Sequence, residues 1–420
     1  MFKKILFLGA LTTAFSAYAQ DMNYTSQVLD KLTSAEFAGR GYVADGHLKA
    51  ATYIAAEFEM AGLKKFEKTY FQNFSLEANV FPGTMDVQLQ ENIALKPGVD
   101  FIVGANAPSL KGCFNLVFID SSVVADEKKI KMMRQMDYSK EFIVLDDSKV
   151  ILPEQKEFFK FFLQEPWGAK GLILISDKKL TADIASTQGA AVILYITRKA
   201  MQAASKVIYV NIQAEVKKVK TQNVLAYVSG TQYPDSFVVI SAHYDHLGKM
   251  GAATYFPGAS DNASGISMLL NLAQYYVKNP AKYSLVFMAF SGEEIGLLGS
   301  MYYVEHPLFP LKKIKFLFNI DIMGDAADGI TLVNGTVMAL EFSKIKNIND
   351  AKKYIPSIQK RGEAAISDHY PFYAQGVRCF FAYSRGKITA YHDVTDTKEG
   401  LPLTNYQGCF QLFKDFIAAL

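Results

Sequence analysis

Acidic and imidazole side chains recur at one kind of position in this sequence, directly after short apolar runs. The run Phe237–Ala242 leads into His243, with Asp245 two residues later, and a glycine-rich turn then carries Asp261. Further along the chain the same pattern supplies Glu293 and Glu294 after Leu285–Phe290, Asp321 after Phe316–Ile320, and Tyr391 with His392. These are the side chains that general acid–base chemistry and metal binding use.

Taken singly, each of these residues has an ordinary structural explanation. A lone histidine is often a surface or core residue, paired glutamates are often a solvated face, and an Asp among Gly, Asn and Ser often belongs to turn chemistry. Taken together, several carboxylates at one site would repel one another unless cations lay between them. Two histidines with three carboxylates could hold two metal ions, and zinc accepts nitrogen and oxygen ligands.

The elements that must position these residues alternate between strand and helix from residue 223 onwards. Apolar runs predict the strands, and apolar residues at helical spacing predict a helix near 264–277, a second near 296–304 and a third near 405–419. Such alternation predicts an α/β fold with a mostly parallel central sheet flanked by helices. Ligand sites in such sheets lie beyond the carboxyl ends of the strands, where the polar residues occur.

Composition narrows the remaining possibilities. The 420 residues favour two domains over one, and a hydrophobic content of 50% argues against disorder. With 44 basic and 41 acidic residues, the charge gives no indication of nucleic-acid binding. The three cysteines, at positions 113, 379 and 409, exclude a disulfide-stapled scaffold and a four-thiolate zinc site. Any metal must therefore be bound by His, Asp and Glu.

The first nineteen residues have the pattern of a secretory signal peptide. Lys3 and Lys4 precede the apolar run Ile5–Ala14, and Ala17 and Ala19 form a small-residue cleavage pattern. The run is shorter than the ~20 residues that span a bilayer, and no later segment is apolar enough to do so. We therefore expect an exported protein, periplasmic or extracellular, without a membrane span.

The rest of the chain divides into three predicted segments. Residues 20–74 predict a helical part of the catalytic domain, with a first helix capped by Asn23 or Thr25. Residues 75–218 contain short strand-like runs and no histidine, and predict an inserted, smaller α+β or β-rich domain. Residues 219–420 predict the catalytic domain itself.

The motifs of the last segment resemble those of a known family. The sequence resembles the co-catalytic di-zinc exopeptidases of the aminopeptidase S and aminopeptidase Y type, which are related to glutamate carboxypeptidase and the transferrin receptor. The resemblance rests on HYDHLG at 243–248, PGASDNASG at 257–265, FSGEEIGLLGS at 290–300, NID at 319–321, SDH at 367–369 and YH at 391–392. The stretch LTSAEFAGR at 32–40 also resembles the N-terminal segment of the family.

The resemblance implies two zinc ions per chain and a specific set of ligands. Asp261 would bridge the ions. His243 and Asp321 would complete one site, and Glu294 and His392 would complete the other. In this family the peptide bond after the bridging Asp is often cis, so we expect a cis bond between residues 261 and 262.

The resemblance also implies the catalytic roles. Glu293 would act as general base and later as general acid on a zinc-activated water. Tyr391 would donate to the tetrahedral oxyanion. Asp245 would accept a hydrogen bond from the second ring nitrogen of His243 and so fix its tautomer.

These expectations favour an aminopeptidase that removes N-terminal residues from peptides. The alternatives are a carboxypeptidase or dipeptidase of the same family, a one-zinc acyltransferase resembling glutaminyl cyclase, and a binding module without activity. Arg361, Arg378 and Arg385 could hold a substrate carboxylate, but the sequence does not place their side chains. The oligomeric state stays open.

The insert and the remaining histidines carry further expectations. Through GAKGLIL at 168–174 and ITRKA at 196–200, the segment 75–218 resembles the protease-associated domain found in many of these peptidases. It would either wall the cleft or decorate the fold. His246 is expected to have a structural or supporting role, and His369 either faces the cleft or packs at its rim. We expect His47 and His306 to be solvated.

The cysteines leave one question open. Cys379 and Cys409 could either form a disulfide or remain buried thiols. Cys113 is expected to be a buried apolar residue.

Overall fold

The structure is a computed structural model that describes residues 20–90, 93–119, 121–124, 126–146, 166–201 and 205–420, together with residues 153, 156, 157, 160 and 162. The predicted signal peptide therefore lies outside the described residues. Within the described ranges, no helix is long and apolar enough to cross a membrane.

The strands are numbered along the chain. They are β1 (Phe71–Val80), β2 (Met85–Leu89), β3 (Ile93–Ala94), β4 (Phe101–Val103), β5 (Leu110–Ile119), β6 (Glu141–Asp146), β7 (Gly171–Ser176), β8 (Val192–Thr197), β9 (Val207–Ile212), β10 (Glu215–Val228), β11 (Tyr233–His243), β12 (Lys249–Met250), β13 (Thr254–Tyr255), β14 (Tyr283–Phe290), β15 (Ile314–Ile320), β16 (Gly329–Val333), β17 (Ile358–Lys360) and β18 (Cys379–Arg385).

The helices are numbered in the same way. They are α1 (Met22–Thr33), α2 (Gly46–Ala61), α3 (Ser121–Val124), α4 (Glu127–Met133), α5 (Ser264–Lys278), α6 (Leu298–Glu305), α7 (Ala339–Lys352), α8 (His369–Ala374) and α9 (Tyr406–Ala419). The first helix is capped by Asp21, whose carboxylate accepts from the backbone N–H groups of residues 23 and 24. The predicted cap at Asn23 or Thr25 is therefore wrong, because both lie inside the helix.

One large mixed sheet forms the centre of the fold, in the order β1-β10-β14-β11-β15-β18-β16-β17. The neighbours β14, β11, β15 and β18 run parallel, and antiparallel strands flank them. Helices cover both faces, so the predicted α/β fold with a mostly parallel sheet and flanking helices is confirmed.

Strand β11 shows how the sheet joins two cores. Alternate side chains of a strand point to opposite faces. Val238 and Ile240 belong to the core formed with α1, α2, α5 and α9, whereas Val239 belongs to the core formed with α6 and α8. A strand buried on both faces is apolar throughout, which explains the continuous apolar run in the sequence.

A second sheet is built between β1 and β10, in the order β3-β2-β9-β5-β6-β7-β8-β4. Its middle strands β5 to β8 are parallel and its outer pairs are antiparallel. The hydrophobic core of this sheet also takes in Leu247, Met250 and Phe256, which lie between β11 and the turn that carries Asp261. The two sheets therefore share buried apolar contacts.

Two single-residue expectations are wrong. Cys113 is exposed on β5 because its side chain points away from the core of the second sheet. His47 is buried on α2, with its ring nitrogens 3.3 Å from the Gly41 carbonyl oxygen and 3.2 Å from that of Lys220. His306 is exposed, as expected.

Candidate metal centre

The predicted site residues converge at the carboxyl edge of the parallel strands. His243 is the last residue of β11, and Asp321 directly follows β15. Glu293 and Glu294 follow β14, and His392 lies in the connection after β18. Because these strands are parallel neighbours, their carboxyl ends meet at one edge of the sheet.

Asp261 lies at the centre of this group. It belongs to an irregular turn, Ala259–Ala263, that precedes α5, and its peptide bond to Asn262 is cis, as expected. The Oδ1 atom of Asp261 is 3.3 Å from His243 Nε2, and its Oδ2 atom is 3.3 Å from His392 Nε2. The two carboxylate oxygens of Asp261 thus face two different histidines.

Each histidine faces a second carboxylate as well. His243 Nε2 is 3.2 Å from Asp321 Oδ1, and the ligand atoms of His243, Asp261 and Asp321 all lie within 4.8 Å of one another. His392 Nε2 is 3.0 Å from Glu294 Oε2. The structure therefore brings all five predicted ligands together as two sets that share Asp261.

His246 adds a sixth group that the sequence reasoning placed only in a supporting role. Its Nδ1 atom is 2.5 Å from Glu294 Oε1, which leaves Glu294 Oε2 facing His392. Its ligand atom also lies within 4.8 Å of those of Asp261 and Glu294. His246 either orients Glu294 or adds an imidazole to the second set.

The electrostatics of these sets fit a cation. Burial alone would raise the pKa of Asp261, but the imidazoles of His243 and His392 hold it well below its usual range. Burial alone would lower the pKa of His392, but the carboxylates of Glu294 and Asp261 raise it to about 11. The carboxylates thus attract positive charge strongly at the point where the imidazoles face them.

The geometry of His392 is also that of a ligand. Its Nε2 atom is buried and makes no hydrogen bond, although two carboxylate oxygens lie within 3.3 Å. Buried polar atoms are almost always hydrogen-bonded, so such an atom calls for another partner. A buried imidazole nitrogen that faces two carboxylate oxygens offers the nitrogen and oxygen donors that zinc accepts.

Glu293 lies beside these two sets. Its Oε2 atom is 3.9 Å from His243 Nε2. Burial raises the pKa of Glu293 well above its usual range, and the carboxylates of Asp321 and Glu294 add to that effect. A carboxyl group in these surroundings can take up a proton and hold it.

The predicted contact of Asp245 with His243 is wrong in one detail. His243 Nδ1 is 3.1 Å from the main-chain oxygen of Asp245 but 3.9 Å from its carboxylate, so the main chain accepts the hydrogen bond. The carboxylate of Asp245 accepts instead from the Tyr42 hydroxyl, at 3.1 Å, and from the backbone N–H of Glu293, at 3.2 Å. Asp245 therefore holds Glu293 in place with its side chain.

A chain of hydrogen bonds holds Asp321. Ser241 donates to Asn319 at 2.7 Å, Asn319 donates to Ser367 at 2.9 Å, and Ser367 donates to Asp321 Oδ2 at 3.0 Å. Oxygen Oδ2 is thereby fixed, and Oδ1 is left to face His243. The motifs at 319–321 and 367–369 thus supply an orienting partner for a candidate ligand.

Two buried charged residues hold the turn that carries Asp261. Arg40 is fully buried and donates to five main-chain oxygens, those of Leu32, Tyr244, Pro257, Gly258 and Asp261. Asp396 accepts from the backbone N–H groups of Ser260 and Asp261. Sequence reasoning assigned no role to either residue. The signals were an arginine at the end of the N-terminal motif and an Asp four residues after His392.

Tyr391 lines the opening of the site. Its side chain is half exposed, and its ring stacks on that of His392 with centroids 3.8 Å apart. A cavity of about 290 Å³ opens beside Asp261 and is lined by Ile322, Arg385, Ile388 and Tyr391 among others. Tyr391 is therefore within reach of a molecule that enters this cavity.

Apart from Arg385, the other candidates lie away from the site or are already paired. His369 is buried and packs against the Phe381 ring, with centroids 5.3 Å apart, so it does not face the cleft. Arg378 pairs with Glu341 on α7, and Arg361 is exposed. Arg385 lines the cavity. Cys379 and Cys409 are buried free thiols.

The sequence and the fold are both similar to those of known proteins. Residues 223–417 match the sequence profile of Peptidase family M28. Aminopeptidase YwaD of Bacillus subtilis (strain 168) is 26% identical over 255 residues, which are 58% of this chain and 54% of that protein. The chain thus spans about half the length of this curated relative.

Solved structures share the whole fold. A zinc aminopeptidase from Bacillus subtilis, BSAP, superposes with a TM-score of 0.68 at 17% identity and covers 94% of both chains. An aminopeptidase from Aneurinibacillus sp. strain AM-1 superposes with a TM-score of 0.62 at 19% identity, covering 96% of this chain and 93% of that one. At these identities the likeness establishes the fold. The matched sequence profile covers residues 223–417, so this part of the chain has the sequence features of a Peptidase family M28 domain.

Proposed function

We propose that the chain is an exported, zinc-dependent exopeptidase that uses two zinc ions, and that it acts as an aminopeptidase on peptides. The single observation that carries the proposal is the position of Asp261. Its two carboxylate oxygens face His243 with Asp321 on one side and His392 with Glu294 on the other. One bridging carboxylate between two such sets is an arrangement that suits two neighbouring ions.

Bound zinc would supply Lewis-acid chemistry and lower the pKa of a water molecule at the site. The residues of the chain then have defined tasks. Glu293 accepts a proton from the attacking water and carries it to the leaving amine, for which its raised pKa is suited. Asp245 keeps Glu293 in place through its backbone N–H.

Tyr391 is proposed to stabilise the oxyanion of the tetrahedral intermediate. Its half-exposed phenol stands beside His392 and lines the cavity next to Asp261. Burial raises the pKa of Tyr391, and the nearby carboxylates of Asp261 and Glu294 add to this, so the hydroxyl keeps its proton and can donate it in a hydrogen bond.

Action on N-terminal residues is supported by the relatives, because both superposed structures and the relative from Bacillus subtilis are named aminopeptidases. Export is supported by the leader pattern of residues 1–19. Action on N-terminal residues and export can each be tested independently of the catalytic mechanism.

The central test compares Glu293→Gln with wild type and with the exposed control Glu399→Gln. We expect Glu293→Gln to keep two zinc ions per chain by metal analysis and to lose peptide hydrolysis by a factor of about 10² to 10⁴, the usual contribution of a general base. Glu399→Gln should keep both. A Glu293→Gln protein with full activity would refute the assigned base.

Substrate class is tested with peptides that have free or blocked termini, with and without a chelator and added zinc. The proposal predicts cleavage that requires a free amino terminus and is abolished by the chelator. Cleavage of amino-blocked peptides from the carboxyl end would instead indicate a carboxypeptidase. One zinc per chain with pyroglutamate formation would indicate an acyltransferase.

A further inference from the structure

The connection between β7 and β8 of the second sheet reaches the candidate metal centre. Residues 177–191, here called the strap, contain neither helix nor strand. They lie against residues 386–397, here called the His392 loop. Leu180 and Ala182 of the strap are buried in the core of the second sheet. The start of the strap is anchored by an ion pair of 2.5 Å between Asp177 and Arg198.

The strap and His392 are joined by two reciprocal hydrogen bonds. The backbone N–H of Ala182 donates to the carbonyl oxygen of His392 at 3.0 Å, and His392 Nδ1 lies 2.9 Å from the carbonyl oxygen of Ala182. A carbonyl oxygen can only accept, so Nδ1 carries the proton in this contact. The lone pair of a neutral His392 ring is then on Nε2, the atom that faces Asp261 and Glu294.

Lys179 holds the same loop at further points. Its ammonium group donates to the carbonyl oxygens of Thr389, at 2.6 Å, and Tyr391, at 2.5 Å, and lies 3.5 Å from the carboxylate of Asp393. Its three contacts therefore lie on both sides of His392 in the sequence. The side chain of Lys179 is about one-third exposed, so solvent can reach its partners if it is removed.

The His392 loop needs such support. His392 has a left-handed backbone with a φ of 53°, a conformation that residues with a side chain adopt at a cost. Conformations of this kind persist where the surrounding structure imposes them. The contacts from the strap lie at and beside this residue.

We propose that the strap is a positioning element of the metal centre. Lys179 and Ala182 keep His392 Nε2 directed at Asp261 and Glu294, so the second sheet sets how tightly the metal ion on the His392 side is held. This inference rests on the proposed function, because it takes His392 to be a zinc ligand. It gives the insert a specific task, which is neither decoration nor merely a wall of the cleft.

Lys179→Met tests this, with Lys178→Met as the matched control, because the neighbouring lysine is exposed and the change in charge is the same. Zinc affinity is measured on the mature full-length protein by competition with a chromogenic chelator, and the melting temperature is measured on the metal-free protein. Partners that orient a ligand typically contribute 10- to 100-fold to metal affinity. A partly exposed ion pair contributes little to stability.

We expect Lys179→Met to weaken one of two zinc sites by about 10-fold or more, in line with the effect of such orienting partners. We expect Lys178→Met to bind zinc like wild type and both variants to melt like wild type. Lys179→Arg, which keeps donors for the carbonyl oxygens, should recover most of the affinity.

Three results would overturn the inference. The first is equal zinc affinity in the two lysine variants. The second is a loss of affinity in Lys179→Met that comes with a lowered melting temperature and is not rescued by Lys179→Arg, since this would indicate a structural role only. The third is a wild-type protein that binds no zinc, which would refute the proposed function as well. Normal zinc binding in all variants would leave the proposed function standing.

Discussion

Replacing Arg40 with methionine removes the side chain that ties the N-terminal segment to the turn carrying Asp261. The guanidinium donates five hydrogen bonds of 2.6 to 3.1 Å to main-chain oxygens, and the residue is fully buried. Burial lowers the pKa of Arg40 to about 10, while Asp261, Asp396 and Glu294 favour its charged form. It therefore remains charged at neutral pH.

The size of the effect follows from these contacts. A hydrogen bond to a charged group contributes about 1.5–3 kcal/mol net, but the contributions do not add and are offset by the cost of burying the charge. Removing one partner from a buried ionic network typically costs about 3–5 kcal/mol. We expect Arg40→Met to lose about that much free energy of unfolding. Arg40→Lys should recover less than half of this free energy of unfolding. A single ammonium group cannot reach all the main-chain oxygens that surround the planar guanidinium group.

The assay is denaturant unfolding of the metal-free protein, followed by zinc competition on the folded protein. Arg361→Met serves as the control, because that arginine is exposed. Zinc binding should weaken in Arg40→Met, since the turn that presents Asp261 loses three of its anchoring contacts. An unfolding free energy of Arg40→Met within about 1 kcal/mol of that of Arg361→Met, below the range for such networks, would refute the reasoning.

Two further predictions concern packing and pH. In Gly41→Ala the new Cβ atom would lie 2.4 Å from the Cα atom of Gly248, so we expect a loss of about 1–3 kcal/mol in denaturant unfolding. In Gly362→Ala the atom nearest to the new Cβ atom would be 3.7 Å away, so this change should leave the free energy of unfolding unaltered. Equal losses of stability in the two variants would contradict the prediction. Burial lowers the pKa of His369 to about 4. As the pH falls, the unfolded chain therefore takes up a proton on this ring before the folded protein does. The stability provided by the neutral ring is present above pH ~6.5 and is lost towards pH ~4. As the pH falls through this range, the free energy of unfolding should therefore decrease by about 3 kcal/mol less in His369→Phe than in wild type. An equal decrease in both proteins would contradict this prediction.

That His243 and Asp321 lie close together could be predicted from the sequence, because both stand at the ends of apolar strands. In a parallel sheet the position of a residue just after a strand also fixes its place in space. His243 and Asp321 are therefore placed by the strands that precede them, without any knowledge of their contacts. The family resemblance then assigned the roles.

The supporting contacts could not be predicted because they are made largely to the main chain. Arg40 and Lys179 donate to carbonyl oxygens, which every residue carries, so no partner residue type marks them in the sequence. For the same reason the sequence did not show that His243 bonds the main-chain oxygen of Asp245 and not its carboxylate. The burial of His47 depends likewise on where α2 packs.

The domain boundaries show another limit. Strand β1 runs through the predicted boundary near residue 75 and β10 through that near 218, and they pair with each other over ten residues of the central sheet. The change in sequence pattern near residue 75 marked where the short strand-like runs of the insert begin. It did not reveal that the strands entering and leaving the second sheet belong to the first.

Leu247, Met250 and Phe256 have a consequence for how the chain can be engineered. They lie between His243 and Asp261 in the sequence but fill the core of the second sheet. Replacing residues 85–212 with a short linker would therefore strip the apolar cover from the segment that joins two candidate ligands. An insert taken from a relative would need cavities of its own for these three side chains. We therefore expect the two sheets to unfold in one cooperative transition, and we expect that they can be transplanted only together.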